Sequence, residues 1–356
     1  MSDETARLIE QTADDLFSAE SEGARKALAE GAWPERLWQI FAETGLAQAA
    51  LPEEAGGAGL AAGLAVLRAA GRHAAPIPVA ETMIGTLLCH RAGAEVPDGP
   101  LTLYAPPAGA LAAQPAVRED IDAANLPRVP WARIATVLAV GAPGHGLAFL
   151  KPSDVVEGAN LAGEPRDDVA VSGPPDRLHP LPPEVDGFAL MAIARAAQLR
   201  GAMEQVLAMS LRYAGDRVQF GRPLKRFQAI QHYLAEIAGE AAATGAAVDA
   251  AAQAPNGFGF AAAKARASQA AGTVARLAHQ VHGAIGYTAE HDLHHWTKRL
   301  WAWRDECGNE AYWWQVLGAH AAQGGGAALW PKMVAASGSA VAETAGATVS
   351  SEGEGR

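Results

Sequence analysis

The sequence has few cysteines, no long apolar run and no excess of basic residues. Its two cysteines, Cys89 and Cys307, cannot form a disulfide framework, which favours a reducing compartment. A formal net charge of −11 argues against a nucleic-acid-binding protein, because such proteins usually carry a basic face. No stretch approaches the roughly 20 consecutive apolar residues of a membrane span, and the acidic N-terminal segment is unlike a signal peptide. We therefore expect a cytoplasmic protein with no membrane span and no nucleic-acid partner.

The 356 residues are enough for two or three structural units with a substantial core. Residues 1–97 show helical patterns with short breaks, which predicts a helical N-terminal domain. Leu37, Ile40 and Phe41 recur at close to helical spacing. Gly45 follows where a helix of this kind would end, because glycine readily adopts the left-handed conformation of a C-cap.

The pattern changes over residues 98–182. Short β-like runs, "LTLYAP", "ATVLAV", "LAFLKP" and "DDVAVSG", alternate with turns rich in Gly, Pro and Asp. This pattern predicts a small β domain in the middle of the chain.

Strong helical patterns return over residues 183–322. Phe227, Ile230, Leu234 and Ile237 recur at steps of three and four and therefore share one helix face. Breaks rich in Gly and Pro divide the region into four segments of about 25 residues, which predicts a four-helix bundle. Residues 323–356 are small and polar, and this composition predicts a flexible tail.

Three stretches carry more specific patterns. They are "FAETGLAQAALPEEAGGAGL", "YAGDRVQFGRPLKRFQAIQHYLAE" and "AHQVHGAIGYTAEHDLHHWTKRLWAWRD". In this order and spacing they resemble the signatures of the acyl-CoA dehydrogenase family over about residues 5–320. The resemblance implies a mainly α fold: a helical N-terminal domain, a short β-barrel-like middle domain and a C-terminal four-helix bundle.

The resemblance also implies an activity and its partners. An FAD-dependent member dehydrogenates an acyl-CoA thioester to the enoyl-CoA by removing the α-proton while a hydride leaves the β-carbon for the flavin. It passes electrons to an electron-transfer flavoprotein or a similar acceptor. Such a chain works as a homo-oligomer, or as a heteromer with a catalytic subunit, and the flavin lies at a subunit interface.

The second and third stretches contain the residues that match the family's flavin signatures. The resemblance implies that these residues reach the flavin diphosphate and adenosine of a neighbouring subunit: Arg217, Gln219, Phe220, Gln228, Gln280 and Gly283. The chemistry agrees, because a guanidinium fork suits a diphosphate and glycine lets backbone N–H groups approach closely. The alternative is that Arg217 and Gln228 only cap helices and that Phe220 belongs to the core.

The sequence departs from the family at the flavin half-site of its own subunit. The family motif Thr-Glu-Pro followed by Gly-Ser-Asp is absent, and the nearest fragment is "AGEPRDDVA" at residues 162–170. The resemblance therefore assigns no residues of the middle domain to contacts with the isoalloxazine or with acyl-CoA.

The catalytic carboxylate is also displaced. At the two positions where family members carry it, this chain has Cys307 and Met191. Glu306, one residue earlier, is the best candidate base, since burial would raise its pKa towards a useful range. Glu310 is a weaker candidate. The alternative for both glutamates is a solvated charge at a helix end.

Other groups point to less specific roles. His291, His294 and His295 include a spacing that some metal sites use, but no Glu lies inside the pair, so we expect a polar helix face and no metal.

The loss of the own-subunit motif and of the base favours an alternative function, a non-catalytic partner subunit that completes the FAD site of a catalytic chain. A flavin oxidase or monooxygenase on the same fold is a third alternative.

Overall fold

The computed structural model describes residues 3–107, 123–141, 146–323 and 325–336. Four helices form the N-terminal domain: α1 (Asp3–Ala29), α2 (Glu35–Glu43), α3 (Leu60–Arg72) and α4 (Val79–Arg91). Leu37 and Phe41 are buried on α2, and Gly45 follows that helix with a φ of 69°, as the sequence predicts. Among the described helices, none combines the length and hydropathy needed to cross a bilayer.

The middle of the chain forms two small sheets. Their strands are β1 (Leu101–Tyr104), β2 (Ala123–Pro130), β3 (Thr136–Val140), β4 (Leu147–Leu150), β5 (Pro152–Val156), β6 (Arg166–Ser172) and β7 (Arg177–His179). One sheet has the order β1-β3-β4-β7, with β1 parallel to β3, and the other has the antiparallel order β2-β6-β5. Within the described residues the sheets do not close on each other, so the expected barrel-like form is corrected to two open sheets.

Four of these strands lie in the runs that the sequence predicts, whereas β2, β5 and β7 do not. β2 contains Pro127 and Pro130, and proline cannot donate a hydrogen bond within a sheet. The pairing of β2 with β6 shifts between Leu126 and Val129, which accommodates this interruption. The predicted turn at residues 141–146 lies mostly outside the described residues.

The C-terminal region contains three long helices and two short ones. They are α5 (Gly187–Asp216), α6 (Gln228–Gln253), α7 (Gly257–His282), α8 (Leu293–Asp305) and α9 (Glu310–Ala322). The prediction of four equal helices is therefore corrected: the fourth is divided by a turn at residues 306–309. A further helix, α10 (Gly325–Ala336), occupies the first part of the segment whose composition predicts a flexible tail.

Two glycines allow α5 to pack directly on the N-terminal domain. A Cβ atom at Gly201 of α5 would lie 1.9 Å from the carbonyl oxygen of Arg68 on α3, and one at Gly71 of α3 would lie 2.1 Å from the carbonyl oxygen of Gln198. Only glycine permits this close approach of the two backbones. The contact fixes α5, and the first turns of α5 then face the β sheets.

Candidate functional site

A cavity of about 550 Å³ lies where the β sheets meet the start of α5 and the end of α8. This volume is within the usual range for small-molecule sites. The apolar part of its wall includes Leu103, Leu161, Phe188, Met191 and Trp301. The polar part includes Arg128, Asn160, Arg166, Arg195, Asp305 and Glu306.

The two positions at which the resemblance implies a catalytic carboxylate meet at this cavity. Met191 on α5 and Cys307 after α8 both line the wall. Neither can serve as a carboxylate base. Burial raises the pKa of the Cys307 thiol to about 11, so the thiol is neutral near pH 7.

Glu306 is held by two buried arginines. Arg166 on β6 donates from Nε to Oε1 (2.8 Å) and from Nη2 to Oε2 (2.9 Å). The Nε atom of Arg195 on α5 lies 2.9 Å from Oε2, and the amide of Asn160 donates to Oε1 at 3.1 Å. This carboxylate therefore belongs to an ion-pair network and is not a solvated charge at a helix end.

The expected rise in the Glu306 pKa is wrong. Burial alone raises the pKa, but Arg166 and Arg195 favour the ionised form more strongly, and the pKa falls to about 2. A carboxylate with such a pKa is ionised at neutral pH but is a weak proton acceptor. Sequence reasoning missed this because the two arginines come from segments about 110 and 140 residues away.

The network continues from Glu306 into all three parts of the fold. Arg195 also binds the buried Glu81 of α4 in the N-terminal domain. Glu164 accepts from Arg299 Nε (2.9 Å) and Trp303 Nε1 (2.9 Å) on α8. Glu164 belongs to the fragment that most nearly matches the family's Glu-Pro motif, and here its carboxylate is occupied by protein donors.

The other candidate carboxylate, Glu310, does not line the cavity. It lies on the first turn of α9 and accepts from Arg304 Nε at 2.9 Å, a contact that lowers its pKa. Asp305 does line the cavity and is exposed, and sequence reasoning did not single it out.

The proposed flavin-binding residues lie elsewhere on the molecule. Arg217 follows the last turn of α5 and leads into a small hairpin of β8 (Val218–Gln219) and β9 (Arg222–Pro223). Phe220 and Gly221 form its turn with φ values of 51° and 79°. A tight two-residue hairpin requires positive φ at both central residues, so the turn by itself explains the glycine at position 221.

The hairpin presents its side chains to solvent. Arg217 and Gln228 are exposed, and Phe220 is 93% exposed, so the alternative that Phe220 belongs to the core is wrong. With the Gln219 amide oriented so that its oxygen faces Arg217, that oxygen accepts from Nη2 at 2.8 Å. This contact orients the guanidinium group, and its remaining N–H groups stay available to a ligand.

Gln280 and Gly283 lie at the same end of the bundle as the hairpin. Both are at the end of α7 and both are exposed. Val281 of α7, Ala214 of α5 and Leu234 of α6 form one buried cluster that joins these helix ends. The structure therefore brings the six predicted residues to one end of the bundle.

The residues at this end suit the diphosphate and adenosine of FAD. The backbone of Gly283 is open, with no atom within 4 Å of where a Cβ would be placed. Arg217 provides a cation, Gln228 and Gln280 provide amides, and Phe220 provides an exposed ring. A cation and N–H donors suit a diphosphate, and an exposed aromatic ring can stack on an adenine.

The tryptophans of α8 and α9 differ in their burial. Trp296, Trp303 and Trp313 are buried, whereas Trp301 and Trp314 are partly exposed. In the described part of the chain, no group of three potential ligand residues is arranged to hold a metal ion.

Comparison with known proteins extends these observations. Models of the acyl-CoA dehydrogenase N-terminal domain and C-terminal domain match residues 3–96 and 185–320. An acyl-CoA dehydrogenase, IpdE2 of Mycobacterium tuberculosis, is 33% identical over 283 residues, which cover 75% of this chain and 80% of that protein.

Solved structures share the fold. A variant of the steroid ACAD Tcur3481-Tcur3483 is 25% identical, with a TM-score of 0.77 over 90% of this chain and 98% of the other. The butyryl-CoA dehydrogenase of Megasphaera elsdenii is 18% identical, also with a TM-score of 0.77 over 90% of this chain and 98% of the other.

Proposed function

This chain belongs to the acyl-CoA dehydrogenase family, and from that premise we propose that it acts within an FAD-dependent acyl-CoA dehydrogenase whose flavin lies at a subunit interface. The reaction is the α,β-dehydrogenation of an acyl-CoA thioester to the enoyl-CoA. The enzyme works as an oligomer in the cytoplasm and passes electrons to an electron-transfer flavoprotein or a similar acceptor. When bound, FAD supplies the hydride acceptor.

One observation carries the proposal of an interface site. The cavity lies against the first turns of α5, and the Arg217 hairpin follows the last turn of this 30-residue helix. At a rise of about 1.5 Å per residue the two ends lie roughly 45 Å apart. The hairpin therefore cannot contribute to the cavity of its own chain. Residues that suit FAD at this distance support a role in the site of a neighbouring subunit.

We assign the acyl group of the substrate to the cavity. Leu103, Phe188, Met191 and Trp301 provide an apolar wall against which an acyl chain would be shielded from water. The aromatic side chains Phe188 and Trp301 also suit a bulky, ring-bearing acyl group. The description of one similar structure as a steroid ACAD supports this substrate class.

If Glu306 is the catalytic base of this chain, it must first leave its ion pairs. To accept the α-proton, its carboxylate must be released from Arg166 and Arg195, because the paired form has a pKa of about 2. The first candidate function therefore requires that entry of the acyl group rearranges these ion pairs.

The second candidate function is a non-catalytic partner subunit that completes the FAD site of a catalytic chain. The paired state of Glu306 and the presence of Met191 and Cys307 at the two base positions favour it. In that assembly the base comes from the other subunit, and this chain contributes the Arg217 hairpin.

Purification separates the two candidates. The chain is isolated alone and with a catalytic partner, and the flavin spectrum, the FAD-to-chain ratio and the loss of flavin absorbance on adding acyl-CoA are recorded. Bleaching by the chain alone supports the first candidate, and a Glu306→Gln variant should then lower turnover by about 10²–10⁴. Asp305→Asn is the control for the other carboxylate on the wall. Bleaching only with the partner supports the second candidate, and no bound flavin in either preparation would contradict both.

A further inference from the structure

The turn that carries Glu306 and Cys307 has an unfavourable backbone. Cys307 and Gly308 follow each other with φ values of 55° and 85°, both in the left-handed region. A residue with a Cβ atom disfavours this region, and Cys307 has one. The turn also follows the end of α8, where helical carbonyl groups have no helical partner. Other parts of the protein must therefore hold it.

Lys264 of α7 is the main group that does so. Its side chain is completely buried, and Nζ donates to the carbonyl oxygens of Arg304 (2.8 Å) and Gly308 (2.7 Å) and to the hydroxyl of Ser268 (2.8 Å). One carbonyl group lies on the last turn of α8, and the other lies within the 306–309 turn, two residues before α9. One ammonium group thus joins both sides of the turn to α7.

Trp313 of α9 holds another carbonyl group of the turn. Its Nε1 donates to the carbonyl oxygen of Cys307 at 2.9 Å. The same ring explains why Gly308 follows, because a Cβ there would lie 2.7 Å from Nε1. The turn is therefore held from both sides by buried side chains.

A buried ammonium is costly unless its contacts compensate for the loss of water. The three oxygens that Lys264 contacts are all uncharged, and burial lowers its pKa to about 8. An apolar residue would fill this space at lower cost if only packing mattered. The presence of lysine is explained by the geometry of the turn that it binds.

We propose that Lys264 is a positioning residue of the cavity: it fixes the 306–309 turn so that Glu306 and Cys307 face the acyl group. This proposal rests on the proposed function of the cavity. The inference that Lys264 holds the turn does not depend on the function of the cavity.

The test compares Lys264→Met with Ser268→Ala, in the same assembly as the unsubstituted enzyme. Ser268→Ala removes one contact of Lys264 and the hydrogen bond that the hydroxyl donates to the Arg304 carbonyl oxygen (3.1 Å), and it leaves both carbonyl contacts of Lys264. The rate at which iodoacetamide alkylates Cys307 reports opening of the turn, and the fully buried Cys89 is the reference for global unfolding. Turnover of acyl-CoA, as kcat and KM separately, reports the consequence for the site.

For Lys264→Met we expect alkylation of Cys307 to accelerate by at least about tenfold with Cys89 still protected, since charge-assisted hydrogen bonds hold the turn closed. We expect kcat to fall more than KM rises, and Ser268→Ala to stay within about threefold of the parent in all three readouts.

The sign of the alkylation change is informative, because loss of a nearby positive charge by itself would raise the Cys307 pKa and slow the reaction. An unchanged or slower alkylation rate overturns the proposal. Faster alkylation with unchanged turnover confirms the hold on the turn and contradicts the assignment of the acyl group to this cavity.

Discussion

Arg166 and Glu306 form a two-point ion pair, with Nε–Oε1 and Nη2–Oε2 distances of 2.8 and 2.9 Å, at the wall of the main cavity. The pair joins β6 of the middle domain to the turn after α8. The arginine is 2% exposed and the carboxylate 16% exposed, so solvent screens the pair only weakly.

Glu306→Gln should destabilise the protein strongly. The substitution leaves Arg166 and Arg195 buried without their shared anion, and a broken buried pair costs on the order of 3–5 kcal/mol in free energy of unfolding. Glu310→Gln is the matched control, because its pair with Arg304 is partly exposed and should cost no more than about 1 kcal/mol. Urea denaturation measures both, and equal losses would contradict the network.

Gly201→Ala should be costly, whereas Gly23→Ala should not. The new methyl group at Gly201 meets the Arg68 carbonyl of α3, so α3 and α5 must separate, at a cost of about 1–3 kcal/mol or more. Gly23 of α1 has no atom within 4 Å of its Cβ position, and alanine there should stabilise the helix by about 0.5–1 kcal/mol. Thermal denaturation of the two variants should shift the midpoint in opposite directions. A Gly201→Ala midpoint at or above that of the parent would show that the helices are not in backbone contact.

His282 should make the protein sensitive to mild acid. It is 2% exposed, its Nδ1–H donates to the Ala278 carbonyl oxygen (2.8 Å), and its Nε2 has no partner. Burial lowers its pKa from 6.5 to about 4, with His291 and His279 adding smaller effects. Between these values the unfolded chain binds more protons than the folded chain, so stability falls as pH drops from about 6.5 to 4.

A His282→Gln variant isolates this effect. The free energy of unfolding of the parent should fall more steeply than that of the variant between pH 7 and 5, by on the order of 2 kcal/mol. His90→Gln, at an exposed position, should follow the parent. Parallel curves for the parent and His282→Gln would show that another group controls the acid response.

The chain should be an oligomer. Phe220, Tyr287 and Trp330 are 93%, 72% and 71% exposed, and apolar surface of this kind usually marks an interface. The outer face of α6 also carries small residues, including Gly239 and Ala242, which allow a second helix to approach closely. Light scattering at micromolar concentration should give at least the mass of a dimer. A single monomeric species would contradict the interface proposal.

Local patterns in the sequence were sufficient to predict the helical and β regions and the family. The face containing Leu234 and Ile237 is buried as its spacing predicts, because helix periodicity depends only on near neighbours. The state of Glu306 could not be predicted this way. Its pKa depends on Arg166 and Arg195, and a charge at a helix end carries no local sign of partners so far along the chain.

The division of the fourth helix was also hidden. Gly308 alone is a weak signal for a helix end, and the turn is held by Lys264, about 40 residues earlier in the chain. The distance between the cavity and the Arg217 hairpin could not be predicted from the sequence either, since it follows from the unbroken length of α5.

The affinity of the assembled protein for FAD tests the central proposal most directly. The flavin is removed, and the dissociation constant is measured by titration for the parent, for Arg217→Ala and for Arg7→Ala, an exposed arginine on α1. A cationic fork on a diphosphate contributes about 1.5–3 kcal/mol, so Arg217→Ala should weaken FAD binding roughly 10- to 150-fold, while Arg7→Ala binds as the parent does. Equal FAD affinity in all three proteins would contradict a flavin site at the Arg217 hairpin.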